Sequence, residues 1–180
     1  MSGLARLALT TALLAGLAGL PAVRLAAQGP TLGPTPDAEE IATYFNKRHG
    51  FTLSYPTARF KPQEPLSEDG RVWVSHDGNA RLLAGALLND EGMSLRDYRD
   101  FVLKQSYPGA AVDYAPLRDT WFVVSGIREG MMFYERVTFT CGGRLINSWA
   151  MLYPAAERRV YDRIVERVAK SYRAGERNCG

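Results

Sequence analysis

Residues 120–153, TWFVVSGIREGMMFYERVTFTCGGRLINSWAMLY, carry the clearest strand pattern in the chain. Three β-favouring runs lie within them, at residues 120–128, 131–141 and 144–153. Glu129-Gly130 and Gly142-Gly143 separate these runs, and two-residue loops that contain glycine are typical of β-hairpins because glycine tolerates positive φ angles. Three consecutive strands joined by hairpins predict an antiparallel meander.

The stretch HGFTLSYP, residues 49–56, predicts the second strand of an earlier hairpin. Phe51, Leu53 and Tyr55 alternate with polar residues, so one face of the strand is apolar. Pro56 ends the strand because proline has no N–H to donate to a sheet. We interpret this strand as scaffold that helps to close the sheet, and we expect Phe51→Ala or Tyr55→Ala chiefly to destabilise the fold.

A further hairpin and two amphipathic helices complete the prediction. Asp77-Gly78 lies in a turn between two strand-like runs. Ser94 and Asp97 approximate the capping box that starts a helix, and Pro154 is tolerated in the first turn of a second one. These elements predict an α+β fold, a curved antiparallel sheet of six or seven strands covered by helices. The apolar helix positions are Leu95, Tyr98, Phe101 and Val102, then Val160, Tyr161, Ile164, Val165, Val168 and Tyr172.

The N-terminus is predicted to be a signal peptide, residues 1–27. An apolar run at residues 7–20 follows Arg6, and Leu25-Ala26-Ala27 permits cleavage after Ala27. The alternative is an uncleaved membrane anchor, although the run is shorter than the about 20 apolar residues that span a bilayer. We therefore expect a periplasmic or secreted protein, with membrane contact only if the segment is retained.

The rest of the chain is predicted to hold one domain. Residues 28–40 are rich in Pro, Gly and Thr and predict a flexible leader. A single α+β domain is expected at residues 41–173, with a C-terminal tail at 174–180. The formal net charge is +3, and it falls to about +1 without the basic residues of the signal peptide. Nucleic acid is excluded as a partner because its binding proteins carry a basic face or stripe.

Cys141 and Cys179 are the candidate disulfide. They are the two cysteines of the chain, and in an oxidising compartment such a pair can close. The bond would fasten the C-terminal tail to a strand of the meander. Two free thiols, one in a strand and one on a frayed tail, remain the alternative.

The sequence predicts no catalytic residue. His49 and His76 are the two histidines, and both fall in predicted hairpin loops, where we expect them to be exposed to solvent. Ser75, His76 and Asp77 cannot converge on one point because they are consecutive along the chain. A G-x-S-x-G nucleophile elbow is also absent from the sequence.

No metal or cofactor site is predicted either. Glu68-Asp69, Asp77 and Asp90-Glu91 are acidic loop residues, but their spacing is not that of a calcium-binding loop, and we expect them to be solvated. Zinc ligands would require Cys and His in a cluster, which the sequence does not offer. Gly85 and Gly142-Gly143 lack the spacing of phosphate-binding loops, so we assign no cofactor.

Glu135 and Arg136 are charged residues in the middle of a predicted strand. Alternation sends them to opposite faces, so at least one is partly covered and needs a partner. We expect structural ion pairs here. If the protein were instead an enzyme, a pocket would have to bring together two or more of Glu135, Arg136, Asp113 and His76.

Three longer segments resemble a known family. YFNKRHGFTLSYPTARFKP at residues 44–62, EDGRVWVSHDGNARLLAGALLN at 68–89 and MFYERVTFTCGGRLINSWAMLYP at 132–154 resemble bacterial exported proteins of the PsbP-like superfamily. The family is named for an accessory protein of photosystem II. The resemblance implies an α-β-α sandwich and a binding or accessory role. It carries over no functional residue, because the matching motifs are structural.

The sequence and the resemblance together predict an exported, non-catalytic binding or accessory module with a protein partner. The contrasting hypothesis is a small-ligand-binding protein or a hydrolase-type enzyme, with a pocket between the sheet and a helix. An exposed apolar patch without convergent ionisable groups would favour the first. A concave pocket that holds several ionisable side chains would favour the second.

Overall fold

The computed structural model describes residues 40–180, so the predicted signal peptide lies outside the described residues, as does all but the last residue of the predicted leader. The described part contains nine β-strands and two α-helices. In chain order they are β1 (Ile41–Phe45), β2 (Thr52–Pro56), β3 (Phe60–Pro62), β4 (Gly70–Ser75), β5 (Arg81–Leu88), α1 (Leu95–Gln105), β6 (Ala111–Tyr114), β7 (Trp121–Arg128), β8 (Met131–Thr140), β9 (Leu145–Pro154) and α2 (Arg158–Ser171).

Seven strands form one antiparallel sheet in the order β3-β4-β5-β9-β8-β7-β6. The predicted α+β fold, with an antiparallel sheet covered by helices, is confirmed. The connection between β7 and β8 is the predicted two-residue hairpin turn, with positive φ at both Glu129 and Gly130. The connection between β8 and β9 is longer than predicted, because Thr140 pairs with Leu145 and leaves four residues in the loop.

Strands β1 and β2 form a separate two-stranded sheet. The expectation that this hairpin helps to close the large sheet is wrong. The backbone of Thr52 instead pairs with Arg173, which follows α2. The apolar side chains of the hairpin, including Phe51 and Leu53 at 0% exposure, pack into a core against one face of the large sheet.

The two faces of the large sheet carry different layers. Helix α2 and the hairpin cover one face, where Trp73 of β4, Trp149 of β9 and Tyr161 of α2 share a core. Helix α1 packs on the other face, where Val102 joins Phe122 and Ile146 in a second core. Pro154 does not start α2 as predicted. It is the last residue of β9, because it pairs with Met131 at the end of the ladder.

Helix α1 covers only about half of the sheet face on which it packs. The helix begins at the predicted cap, where the hydroxyl oxygen of Ser94 accepts a hydrogen bond from the backbone N–H of Asp97. It then leads from β5, in the middle of the sheet, to β6 at the far edge. It therefore lies over β7, β8 and β9, and Phe101, predicted to lie on its apolar side, is 46% exposed. No helix among residues 40–180 covers β4 and β5 on this face.

The last residues of the chain lie against the sheet. The structure has the predicted disulfide between Cys141 and Cys179. The buried amide of Asn147 donates to the carbonyl oxygen of Gly175 and accepts from its N–H, at 3.1 and 2.9 Å. A side chain at position 175 would collide with the backbone of His49. The hairpin, the tail and the sheet therefore meet at this point.

Candidate binding cavity

A cavity of about 500 Å³ opens on the half of the sheet that α1 leaves uncovered. Its floor consists of strand residues, and its walls are the loop at residues 64–67 and Ser106 and Tyr107, which directly follow α1. The floor residues from β4, β5, β8 and β9 include Val72, Leu83, Gly85, Glu135, Ser148 and Ala150. Most of these side chains are apolar, so the floor is largely without charge. The small ones among them leave the floor concave.

The register of the strands explains why these side chains share one face. Gly85 pairs with Ser148, and Ala150 pairs with both Leu83 on one side and Glu135 on the other. Side chains directly opposite each other in an antiparallel ladder point to the same face of the sheet. Glycine, serine and alanine in adjacent positions leave the space that forms the cavity.

Glu135 is the charged group of the cavity floor. The hydroxyl of Tyr107 donates to its Oε2 at 2.8 Å, and the Tyr107 ring stacks on Phe133 with 3.9 Å between centroids. Burial raises the pKa of the Glu135 carboxyl above its ordinary value, and the Tyr107 hydrogen bond opposes this rise. Burial and the neighbouring Glu135 also raise the pKa of Tyr107. Tyr107 therefore stays a neutral donor to this carboxyl.

Arg136, the next residue, points to the opposite face. Its guanidinium lies 4.6 Å from the centre of the Trp121 ring, a distance at which a cation–π attraction acts. The expectation of structural ion pairs is wrong for both residues, because no salt bridge of the described segment includes Glu135 or Arg136. A tyrosine hydroxyl and an indole ring are their partners instead.

His49 contradicts its predicted exposure. It is 2% exposed, and its Nε2 lies 2.8 Å from Oδ1 of Asp69. The loop bends inward because the Asn46 side chain accepts a hydrogen bond from the backbone N–H of His49. His76 is exposed as predicted, with Nε2 3.1 Å from the carbonyl oxygen of Thr57.

The other candidate residues lie apart from the cavity. The Ser75 hydroxyl donates to Asp77, which also accepts from the backbone of Asn79, so this group shapes a turn. Asp113 lines a separate hollow beside Arg158 of α2. The structure therefore does not bring Asp113, His76, Arg136 and Glu135 together. Glu68, Asp77, Asp90 and Glu91 are exposed, as expected of solvated loop acids.

Asp69 gives the stability a defined pH dependence. The hydrogen bond from His49 and the charge of Arg48 lower the pKa of the Asp69 carboxyl below its ordinary value of 3.8, although burial opposes the shift. A carboxyl whose pKa is lowered by folding stabilises the fold above its unfolded pKa and loses that effect as the pH falls through the folded value. We expect Asp69→Asn to be less stable than the wild type at pH 5, with a difference that shrinks towards pH 2. Urea unfolding of both proteins across this range measures it, and a constant difference would contradict it.

Within residues 40–180, no three His, Cys, Asp or Glu side chains are grouped so that they could hold a metal ion. None of the helices described for this chain is both long and apolar enough to cross a membrane.

Solved structures share this arrangement of sheet and helices. Cyanobacterial PsbP (CyanoP) from Synechocystis sp. PCC 6803 matches 81% of this chain and 99% of its own, with a TM-score of 0.55 and 13% identity. This is the PsbP-like fold. The Ran-binding protein Mog1p from Saccharomyces cerevisiae has it too, with a TM-score of 0.52 and 9% identity over 76% of this chain and 96% of its own. No protein-family model and no curated protein sequence compared with the chain matches it.

The sequence predicts the PsbP-like fold of this chain better than it predicts the cavity. It predicts Glu135 to be a partly covered charge. It does not predict that Tyr107, which lies 28 positions away in sequence, is its hydrogen-bond donor. Nor did it indicate that the loop at residues 64–67 forms a wall. A charged residue between Phe133 and Val137 on an otherwise apolar strand face was the available signal.

Proposed function

We propose that this chain is a non-catalytic binding module that is exported and takes a protein partner on the uncovered half of its large sheet. The observation that carries the proposal is the rim of the cavity. Leu66 is 101% exposed there, beside an open floor that includes Val72 and Leu83. A single exposed leucine is common, but one that adjoins an apolar concavity extends it into a surface of the kind found at interfaces.

The PsbP-like fold also supports a binding function. Mog1p, which shares it, is described as a Ran-binding protein. A fold alone does not establish a function, because unrelated activities occur on one scaffold. It does show that a sheet with this connectivity can serve a protein whose described role is to bind another protein.

Two observations support export of the protein. The Cys141–Cys179 disulfide favours an oxidising compartment, since such bonds are rare in the cytosol. The charge and apolar pattern of residues 1–27 is that of a signal peptide.

A small-ligand-binding protein is the second candidate function. The cavity volume of about 500 Å³ lies within the range of small-molecule sites. A hydrolase-type enzyme receives less support, because the ionisable residues that it would need to share one pocket lie on different parts of the molecule.

The test is affinity capture of the tagged mature protein from its own cell envelope after mild crosslinking, with identification by mass spectrometry. We expect a stoichiometric partner that is captured by the wild type and lost with Leu66→Glu. Val160→Glu is the matched control, since Val160 is 39% exposed on α2, which covers the opposite face. Equal capture by all three proteins, or no partner for a folded wild type, would overturn the proposal.

A further inference from the structure

We propose that the cavity recognises a positively charged group on an apolar stem, the lysine or arginine side chain of the partner, with Glu135 as its counter-ion. This inference rests on the proposed function and specifies the partner's chemistry at the same site. Glu135 lies on the cavity floor, in register with Ala150 of β9.

The carboxylate of Glu135 is only half satisfied by the protein. Tyr107 donates to Oε2, and no hydrogen bond within the described part of the chain reaches Oε1. A buried carboxylate is costly unless it is paired and hydrogen-bonded. Glutamine in this position could still accept from Tyr107 without that cost. The arrangement therefore places a carboxyl group without a counter-ion where a ligand can reach it, and a bound cation would hold it ionised.

The groups around Glu135 supply no cation. Tyr98 of α1 and Tyr107, which lies just after this helix, face it, and both are neutral. Arg71 and Glu64 line the cavity wall. Arg71 donates to the carbonyl oxygen of Gln63 at 2.6 Å and lies 5.8 Å from the Tyr44 ring, so other groups engage its guanidinium. Burial raises the pKa of the Glu135 carboxyl and so favours its protonated form, whereas a bound cation would favour the ionised form.

The rest of the cavity suits an apolar stem. Val72, Leu83 and Ala150 lie on the floor, and an aliphatic chain could contact them while its charged end reaches Glu135. Leu66 decides between a free amine and a protein side chain. It is fully exposed at the rim of the cavity, where a protein surface that inserts a side chain would cover it.

The probe is n-butylammonium, which reproduces a lysine side chain, with n-butanol as its uncharged counterpart. We expect saturable NMR shifts of the Gly85, Ser148 and Ala150 amides with n-butylammonium and much smaller shifts with n-butanol. Glu135→Gln should weaken n-butylammonium binding by about tenfold or more, since a charge-assisted hydrogen bond is lost. Glu129→Gln, on an exposed turn, should leave the affinity unchanged.

Glu135→Gln should melt at the same temperature as the wild type or higher at pH 7, because glutamine keeps the acceptor for Tyr107 and has no ionised form that burial would penalise. A loss of binding then reflects the charge and not the fold. No saturable shift in the wild type, or equal affinity in the glutamine variant, would overturn the inference.

Capture experiments separate this inference from the proposed function. If Leu66→Glu abolishes capture and Glu135→Gln does not, the partner docks on this face without a cation in the cavity, and the inference fails while the function stands. If n-butylammonium binds through Glu135 but Leu66→Glu leaves capture unchanged, the partner docks elsewhere. The assignment of the cavity to a partner's side chain is then overturned along with the proposed docking surface.

Discussion

Phe51→Ala should lower the free energy of unfolding by about 3–5 kcal/mol, the range for removing a fully buried aromatic side chain. Phe51 is 0% exposed and lies in the core formed by the hairpin, α2 and the large sheet. Its ring centroid is 5.9 Å from that of Tyr44 on the neighbouring strand. The apolar side of the hairpin packs on the rest of the fold through this core, so the cavity left by alanine weakens that packing. Urea unfolding should show a lower midpoint with an unchanged slope.

Phe45→Ala is the matched control in the same hairpin. Phe45 is 44% exposed, and its main partner is the guanidinium of Arg177, 5.2 Å from the ring centre. An exposed cation–π contact contributes about 0.5–1 kcal/mol, so the control should cost no more than that. If Phe51→Ala kept the melting temperature of the wild type but lost the partner, the strand would be a site and our interpretation of it as scaffold would be wrong.

Loss of the Cys141–Cys179 disulfide should cost up to about 4 kcal/mol, as the chain-entropy account gives for a sequence separation of 38. Cys141→Ser/Cys179→Ser should unfold at lower urea concentration than the oxidised wild type. Hydrogen exchange at the Gly175 and Arg177 amides should also become faster, because only non-covalent contacts then hold the tail.

The reduced wild type serves as the control for this substitution, since it keeps both sulfur atoms and lacks the bond. It should match the double serine variant in stability and in exchange. If both proteins were as stable as the oxidised wild type, with the tail amides still protected, the hydrogen bonds of Asn147 and Thr140 to Gly175 would suffice to hold the tail.

The parts of the fold that follow from local patterns could be predicted. The turn at Glu129-Gly130 and the cap at Ser94 are set by neighbouring residues, and the structure confirms both. Strand β3 could not be predicted, because its three residues, with prolines nearby, pair with β4 only once the chain has folded. The separate hairpin sheet likewise depends on Arg173, far along the chain.

The candidate site was predictable only in part. Glu135 stood out because alternation placed a charge among apolar neighbours. The loop position of His49 predicts exposure to solvent, and this prediction is wrong because Asp69, 20 positions away, contacts its ring. The cavity arises from the route of α1 between β5 and β6, and no single segment of sequence encodes that route.

The contact between the first hairpin and the last residues has a consequence for the order of folding. Thr52 pairs with Arg173, the carbonyl oxygen of His49 accepts from the N–H of Arg177, and Asn178 donates to that of Arg48. The hairpin of β1 and β2 therefore waits for residues 173–178, which are synthesised after all nine strands and both helices. A nascent chain that still lacks its final residues can form the meander, but its hairpin has no backbone partner in the tail. Folding should thus finish only after residues 173–178 have emerged from the ribosome.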